Sequence, residues 1–348
     1  MQLDMHYYGT YAMARAAGIR PNYAEAIATA AQYVDDSDTA ALVLGDGTFL
    51  TCAATAHHPI DARNIEPLDQ RNVWIPFHFL PGNKGTSFEE RLVCQTDSEI
   101  AHEVIKFALG NATTSHGIML AGIVAHVYAD TFSHYGFSGI SSDLNSVDNA
   151  SITPRITSME VMKYVKEKAN DFFEKRKADA ADLIQLGHGG VATYPDRPYL
   201  RWNFKYADGR VSGERDNPAT FIAACEKLHD LFVQLGDTEP GYADVESRVP
   251  FAKIKETVKE VLSREGTMEE RITAWQEKAG NGAIYQAKEA IPTYDTKRFS
   301  GDLAQLAGMP RDKAEGTFVY QFLLAATKYR QFVLRELLPQ NGLEILTP

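Results

Sequence analysis

The sequence predicts an all-α protein with one small β element, and three observations carry that reading. Apolar residues recur at helical spacing over most of the 348 residues. Glycine and proline fall mainly between those periodic stretches, where they close helices rather than interrupt them. A composition of 44% hydrophobic and 23% charged residues is that of an ordinary globular chain with enough length to bury a sizeable core.

Taken in order, residues 4–17 place Tyr7, Tyr11 and Ala14 on one helical face, and Gly18 ends the segment. Residues 22–36 start at an Asn cap after Pro21 and run Ala-rich to Val34. Two short apolar runs around Gly45-Asp46-Gly47 read as a hairpin. A loop with Pro59, Pro67, Pro76 and Pro81 follows and carries Trp74, Phe77, His78 and Phe79. Helices are expected over 97–110 and 114–134, then a long amphipathic one near 154–186 that ends at Gly187-His188-Gly189-Gly190. A Pro-rich segment passes Asp196 and Pro198. The polar run 207–217 is the best candidate linker, and further helices are expected near 217–235, 250–264, 267–279 and 311–337. This divides the chain into a metal-binding helical core over 1–207 and a helical extension over 208–348 packed on it.

Several functions are disfavoured by composition. No stretch reaches the roughly 18–20 apolar residues of a membrane span, and residues 1–20 lack a signal-peptide pattern, so a cytoplasmic location is expected, with non-classical export as the alternative. Cys52, Cys94 and Cys225 are odd in number and far apart, which suits core packing rather than disulfides or a thiolate zinc site. A formal charge of −11 argues against a broad nucleic-acid surface.

The chemistry lies in the first 200 residues, which hold nine of the ten histidines. In AGIVAHVYADTFSHYG, His126, Asp130 and His134 recur every four residues and form one stripe on a helix rich in Ile, Val and Phe. Two imidazoles and a carboxylate in an apolar core need a partner, and a divalent cation bound by nitrogen and oxygen supplies one. Asp4 and His6 head the first helix. Asp35 and Asp36 end the second, where negative charge opposes the helix dipole. His78 lies between two phenylalanines, and His188 sits among glycines that allow close backbone approach. Each of these alone also fits ordinary packing. Together they offer ligands for two or three ions.

The stretch GIVAHVYADTFSHYG resembles the central helix of the zinc-dependent phospholipase C superfamily, which includes single-strand-specific zinc nucleases. The resemblance implies an all-α bundle of that type around two or three Zn²⁺ ions. It orders the ligands as His6, Asp35 or Asp36, His78, His126 with Asp130, His134 and His188. It departs from the family in three ways. His134 follows Asp130 by four residues rather than six. Ala192 stands where a carboxylate is usual after the last His, so that Asp196 or Asp4 must serve. Asp4 is expected in the place of a processed N-terminal amine. The implied activity is metal-dependent phosphodiester hydrolysis, with Asp130 shared between ions and Asp35 or Asp36 orienting or deprotonating the water. Tyr7, Tyr8, Trp74 and Phe77 are candidates for the mouth, with packing in the core as the alternative. A phospholipid or small phosphodiester is the favoured substrate. Nuclease action on the same cluster and a non-catalytic metal-binding role are the alternatives. Oligomeric state is not legible from the sequence.

Overall fold

A computed structural model describes residues 1–56, 66–177 and 185–346, and it is mainly helical with two small antiparallel sheets. The chain opens with a π-helical turn, Asp4–Gly9, that runs straight into α1 (Thr10–Ala16). Pro21 is the first residue of α2 (Pro21–Asp36), where its missing N–H has no helical partner to lose. Asn22 therefore lies inside the first turn and is not the cap. β1 (Ala41–Val43) and β2 (Phe49–Thr51) pair as the expected hairpin.

The proline-bearing stretch after Pro59 is not simply a loop. Pro59 lies outside the described residues. Further on, α3 (Pro67–Asp69) leads into a π-helix over Gln70–His78 that contains Pro76. Burial of Val73, Trp74, Ile75 and Phe77 outweighs the helix-breaking tendency of proline. The wider π turn accommodates it. Ser87 and Glu90 form a capping box on α4 (Phe88–Leu92), and Ser98 caps α5 (Glu99–Gly110).

The central element is α6 (Gly117–His134), every residue of which is buried. A helix buried on every side, with its polar groups confined largely to one stripe, is a core helix here. It packs on α2, α5, α8 and α13. At Gly122 the approach to α2 is so close that a Cβ would lie 2.4 Å from the Ile27 carbonyl oxygen.

Residues 147–155, expected in part as helix, form the strand β3 (Val147–Arg155), and α7 (Met159–Lys177) follows. The remainder of the 154–186 expectation falls partly outside the described residues. β3 pairs antiparallel with β4 (Arg201–Tyr206), which pairs with β5 (Arg215–Asp216). Polar residues 207–214, read above as a linker, join β4 to β5 within that sheet. Inward-facing Trp202, Phe204 and Tyr206 build a second apolar cluster with Trp74, Phe79 and Phe137.

The C-terminal third contributes α8 (Asn217–Thr238), α9 (Phe251–Leu262), α10 (Met268–Gly280), α11 (Arg298–Ala307), α12 (Arg311–Ala314), α13 (Phe318–Phe332) and α14 (Leu338–Gln340). A π-helical turn over Val333–Leu337 links the last two. The main core is continuous from Met1 to Leu343, so these helices bury apolar surface against the first helices. All three cysteines are unpaired and buried in the described structure. No helix of the described residues is long and apolar enough to cross a membrane.

Candidate metal centre

Asp130, in the middle of the α6 stripe, is the hub. Its Oδ1 lies 3.3 Å from His6 Nε2, and its Oδ2 lies 3.3 Å from His126 Nε2 and 3.5 Å from His78 Nδ1. The α-amino group of Met1 is also here: it donates to Asp130 Oδ1 at 2.5 Å and stands 3.4 Å from Asp196 Oδ1. Asp196 Oδ1 lies 3.2 Å from His134 Nε2, and its Oδ2 3.7 Å from His188 Nε2. Asp35 completes the ring at 3.9 Å from His6 and His126 and 4.0 Å from His78.

Four of the five histidines are anchored on backbone carbonyls. Nδ1–H of His126 donates to Ala31 of α2, and Nδ1–H of His134 donates to the carbonyl of His78, both at 2.8 Å. His78 Nε2–H donates to Thr55 at 2.8 Å, and His188 Nδ1–H to Ala192 at 2.7 Å. A carbonyl can only accept, so each bond fixes the tautomer and presents the other nitrogen as a lone pair to the carboxylates. This is the outer-shell arrangement that orients metal-binding histidines. His6 has no such anchor; it stacks on His126 with ring centroids 3.7 Å apart.

Local sequence explains the placement. Gly122 brings α6 close enough to α2 for His126 to reach Ala31. Arg215 donates to the carbonyls of Ser133 and Tyr135 at the C-terminal end of α6 and so holds the turn that carries His134. Gly187 has φ +55°, and a Cβ there would collide with the Phe79 ring, which stacks on His134. Ala192 takes φ 46°, a conformation costly for a residue with a side chain, and thereby offers its carbonyl to His188.

Electrostatics favour the ligand-ready protonation state of His6, His126, His188, Asp130 and Asp196. Burial lowers the pKa of His6 and His126 and brings His188 to about 4. Burial alone would raise Asp130 and Asp196. For Asp130, His134, the Met1 amine, His126 and His6 override it and hold the carboxyl well below its usual range. The Met1 amine and His188 do the same for Asp196. Burial works against the charge of the Met1 amine, yet Asp130, Asp196 and Asp35 hold its pKa up to about 10. Asp35 reaches about 7, raised first by loss of water contact and further by Asp130, with His78 opposing.

The fit to cations rests on orphaned atoms. Both ring nitrogens of His6, Nε2 of His126 and Oδ2 of Asp130 are buried without a hydrogen-bond partner. Three groups have ligand atoms within 4.8 Å of one another: His6, His126 and Asp130; Asp35, His78 and His126; His134, His188 and Asp196. Nitrogen and oxygen donors in these numbers suit a divalent transition ion.

Two expected ligands stand elsewhere. Asp36 accepts from the Tyr294 hydroxyl and from Gln32, so Asp35 alone of the pair faces the cluster. Asp4 pairs with Arg271 at 3.0 Å and is in none of the cluster's ligand groups. Asp196 stands beside His134 and His188 despite Ala192 in the usual carboxylate position. A cavity of about 190 Å³ opens onto the cluster, walled by Trp74, Phe79, Phe172, Leu186 and Thr193. Tyr7, Tyr8 and Phe77 are core residues and do not line it. Sequence reasoning missed Phe172 and Leu186, since an apolar residue on an amphipathic helix or beside a Gly turn carries no mark of a cavity.

These features define a helical protein with a buried His/Asp cluster able to hold metal ions. Residues 1–337 match the family described as a family of unknown function, DUF6765, and the chain belongs to that family. No curated protein and no solved structure matches it.

Proposed function

We propose that the protein is a metal-dependent phosphodiester hydrolase with a phospholipase C/zinc-nuclease-like helical bundle, holding two or three zinc ions. The carrying observation is the set of four histidines, each tied to a backbone carbonyl and aimed at Asp130, Asp196 or Asp35. Holding so many ligand-type groups in an apolar core is unfavourable unless cations offset the charge. His6 and Asp130 would form one site. Asp35, His78 and His126 would form a second with Asp130 shared, and His134, His188 and Asp196 a third. Bound divalent ions lower the pKa of water and neutralise charge on a phosphoryl group.

The chain's own groups account for the rest. Asp35 lines the cavity, and its side chain is 29% exposed, the most open of the three cluster carboxylates. It is therefore the residue placed to orient an attacking water and take its proton. Asp130 is 1% exposed and serves as the shared anionic ligand. The open cavity supports a reacting site over a closed structural one.

A phospholipid or other small phosphodiester with an apolar part is the favoured substrate. Trp74, Phe79, Phe172 and Leu186 wall the cavity, and no Lys or Arg is among its described lining residues. A net charge of −11 adds repulsion toward a polyanion. The test is a parallel assay at equal zinc loading. Phosphorylated head group should leave phosphatidylcholine faster than single-stranded DNA or RNA is cut. Nucleic-acid cleavage without head-group release would select the nuclease reading. Inactivity toward all three would reject both.

A further inference from the structure

Behind the metal cluster lies a second buried polar group. Arg197 is 2% exposed and Arg271 1% exposed. Arg271 pairs with Asp4 Oδ2 at 3.0 Å and donates to Gln2 Oε1 at 2.6 Å and to the Thr267 carbonyl at 3.3 Å. Arg197 forms no ion pair among the described residues. It donates from Nη2 to Thr193 Oγ1 at 3.1 Å, and its buried Nε and Nη1 have no carboxylate or carbonyl partner there, the Tyr199 hydroxyl being the polar group beside the guanidinium.

The two guanidinium groups share neighbours. Both act on the Tyr199 hydroxyl and on the Asp4 carboxyl. The Arg271 guanidinium lies 6.0 Å from the Tyr199 ring, and that of Arg197 lies 5.2 Å from the Tyr164 ring. The Tyr199 hydroxyl is buried, and its polar neighbour among the described residues is the Arg197 guanidinium. Two permanent positive charges thus face one carboxylate, in a place closed to bulk water. An unpaired buried guanidinium costs several kcal/mol. Arginine cannot escape that cost by losing its proton.

We propose that Arg197, with the Tyr199 hydroxyl and Arg271 beside it, forms a buried binding site for a small inorganic anion of chloride size. The N–H groups of Arg197 and the hydroxyl of Tyr199 are donors only toward such a ligand, and the anion brings the local charge to balance. A monatomic ion suits the site because the donor atoms are buried, where only a small ligand with no protons of its own answers N–H and O–H groups. The site joins α10 to two segments that also build the metal centre. Asp4 precedes His6 by two residues, Arg197 follows Asp196, and Arg271 belongs to α10. An anion there ties the first turn of the chain to α10 and stabilises the cluster without touching its ions.

The test uses the full-length, metal-loaded protein crystallised from bromide in place of chloride. The expected result is one bromide anomalous peak in contact with the Arg197 guanidinium. In solution, exchanging gluconate for chloride at constant ionic strength should raise Tm by several degrees. That rise should be lost in Arg197→Gln and reduced in Tyr199→Phe, which removes a single hydroxyl. A water at the site in bromide crystals, or equal Tm in gluconate and chloride, would overturn the proposal. Neither readout depends on hydrolytic activity.

Discussion

His6 and His126 lie ring on ring, 3.7 Å apart and 14° from parallel, and each points Nε2 at Asp130 from 3.3 Å. The two histidines reach opposite oxygens of one carboxylate, so Asp130 can serve two ions at once. Asp130→Asn keeps the shape and removes the charge. It should lower bound metal by at least one equivalent and reduce hydrolysis more than any substitution after residue 208. Metal content measured on the purified variant checks this, and full retention would show that Asp130 is not shared.

Asp35 and Asp36 are adjacent yet face different surroundings, the first the cavity and the second Tyr294 and Gln32. Asp35→Asn should cut the hydrolytic rate by roughly 10²–10⁴-fold, the usual range for a lost proton acceptor. Asp36→Asn should keep its metal and most of its rate, since an amide oxygen still accepts from Tyr294. Equal losses in the two variants would contradict the assignment.

Gly122 sets the distance between α2 and α6, and with it the reach of His126 to Ala31. A Cβ there would lie 2.4 Å from the Ile27 carbonyl oxygen and 2.6 Å from the Ala30 Cβ, and both belong to packed helix. Gly122→Ala should destabilise the fold by about 1–3 kcal/mol, as overpacking does. It should also weaken metal retention, because α2 carries both the anchor of His126 and the carboxylate of Asp35. Thermal unfolding with metal analysis measures both effects. Unchanged values would mean that the helices separate at no cost.

Much of the site was legible because one helix carries its centre. His126, Asp130 and His134 sit four residues apart in an unbroken apolar stretch, and the fully buried α6 puts them where that spacing says. Asp35 and Asp36 could not be separated, since the choice depends on Tyr294, more than 250 residues away in sequence. Asp4 was misplaced because its partner Arg271 is equally remote. The π-helix around Pro76 was hidden by the usual meaning of proline, which burial of Trp74 and Phe77 overrides. The strand β4 did carry a signal. Trp202, Phe204 and Tyr206 alternate with Arg201, Asn203 and Lys205, a period of two that the surrounding Pro-rich and polar runs obscured.

The central claim is that the His/Asp cluster binds metal in the protein as it is made. Elemental analysis of protein purified without added metal or chelator tests it most directly. Two or three equivalents of divalent metal per chain are expected, predominantly zinc, with a clear fall in Tm once a strong chelator removes them. Metal well below one equivalent that leaves on desalting, with no change in Tm, would contradict the account.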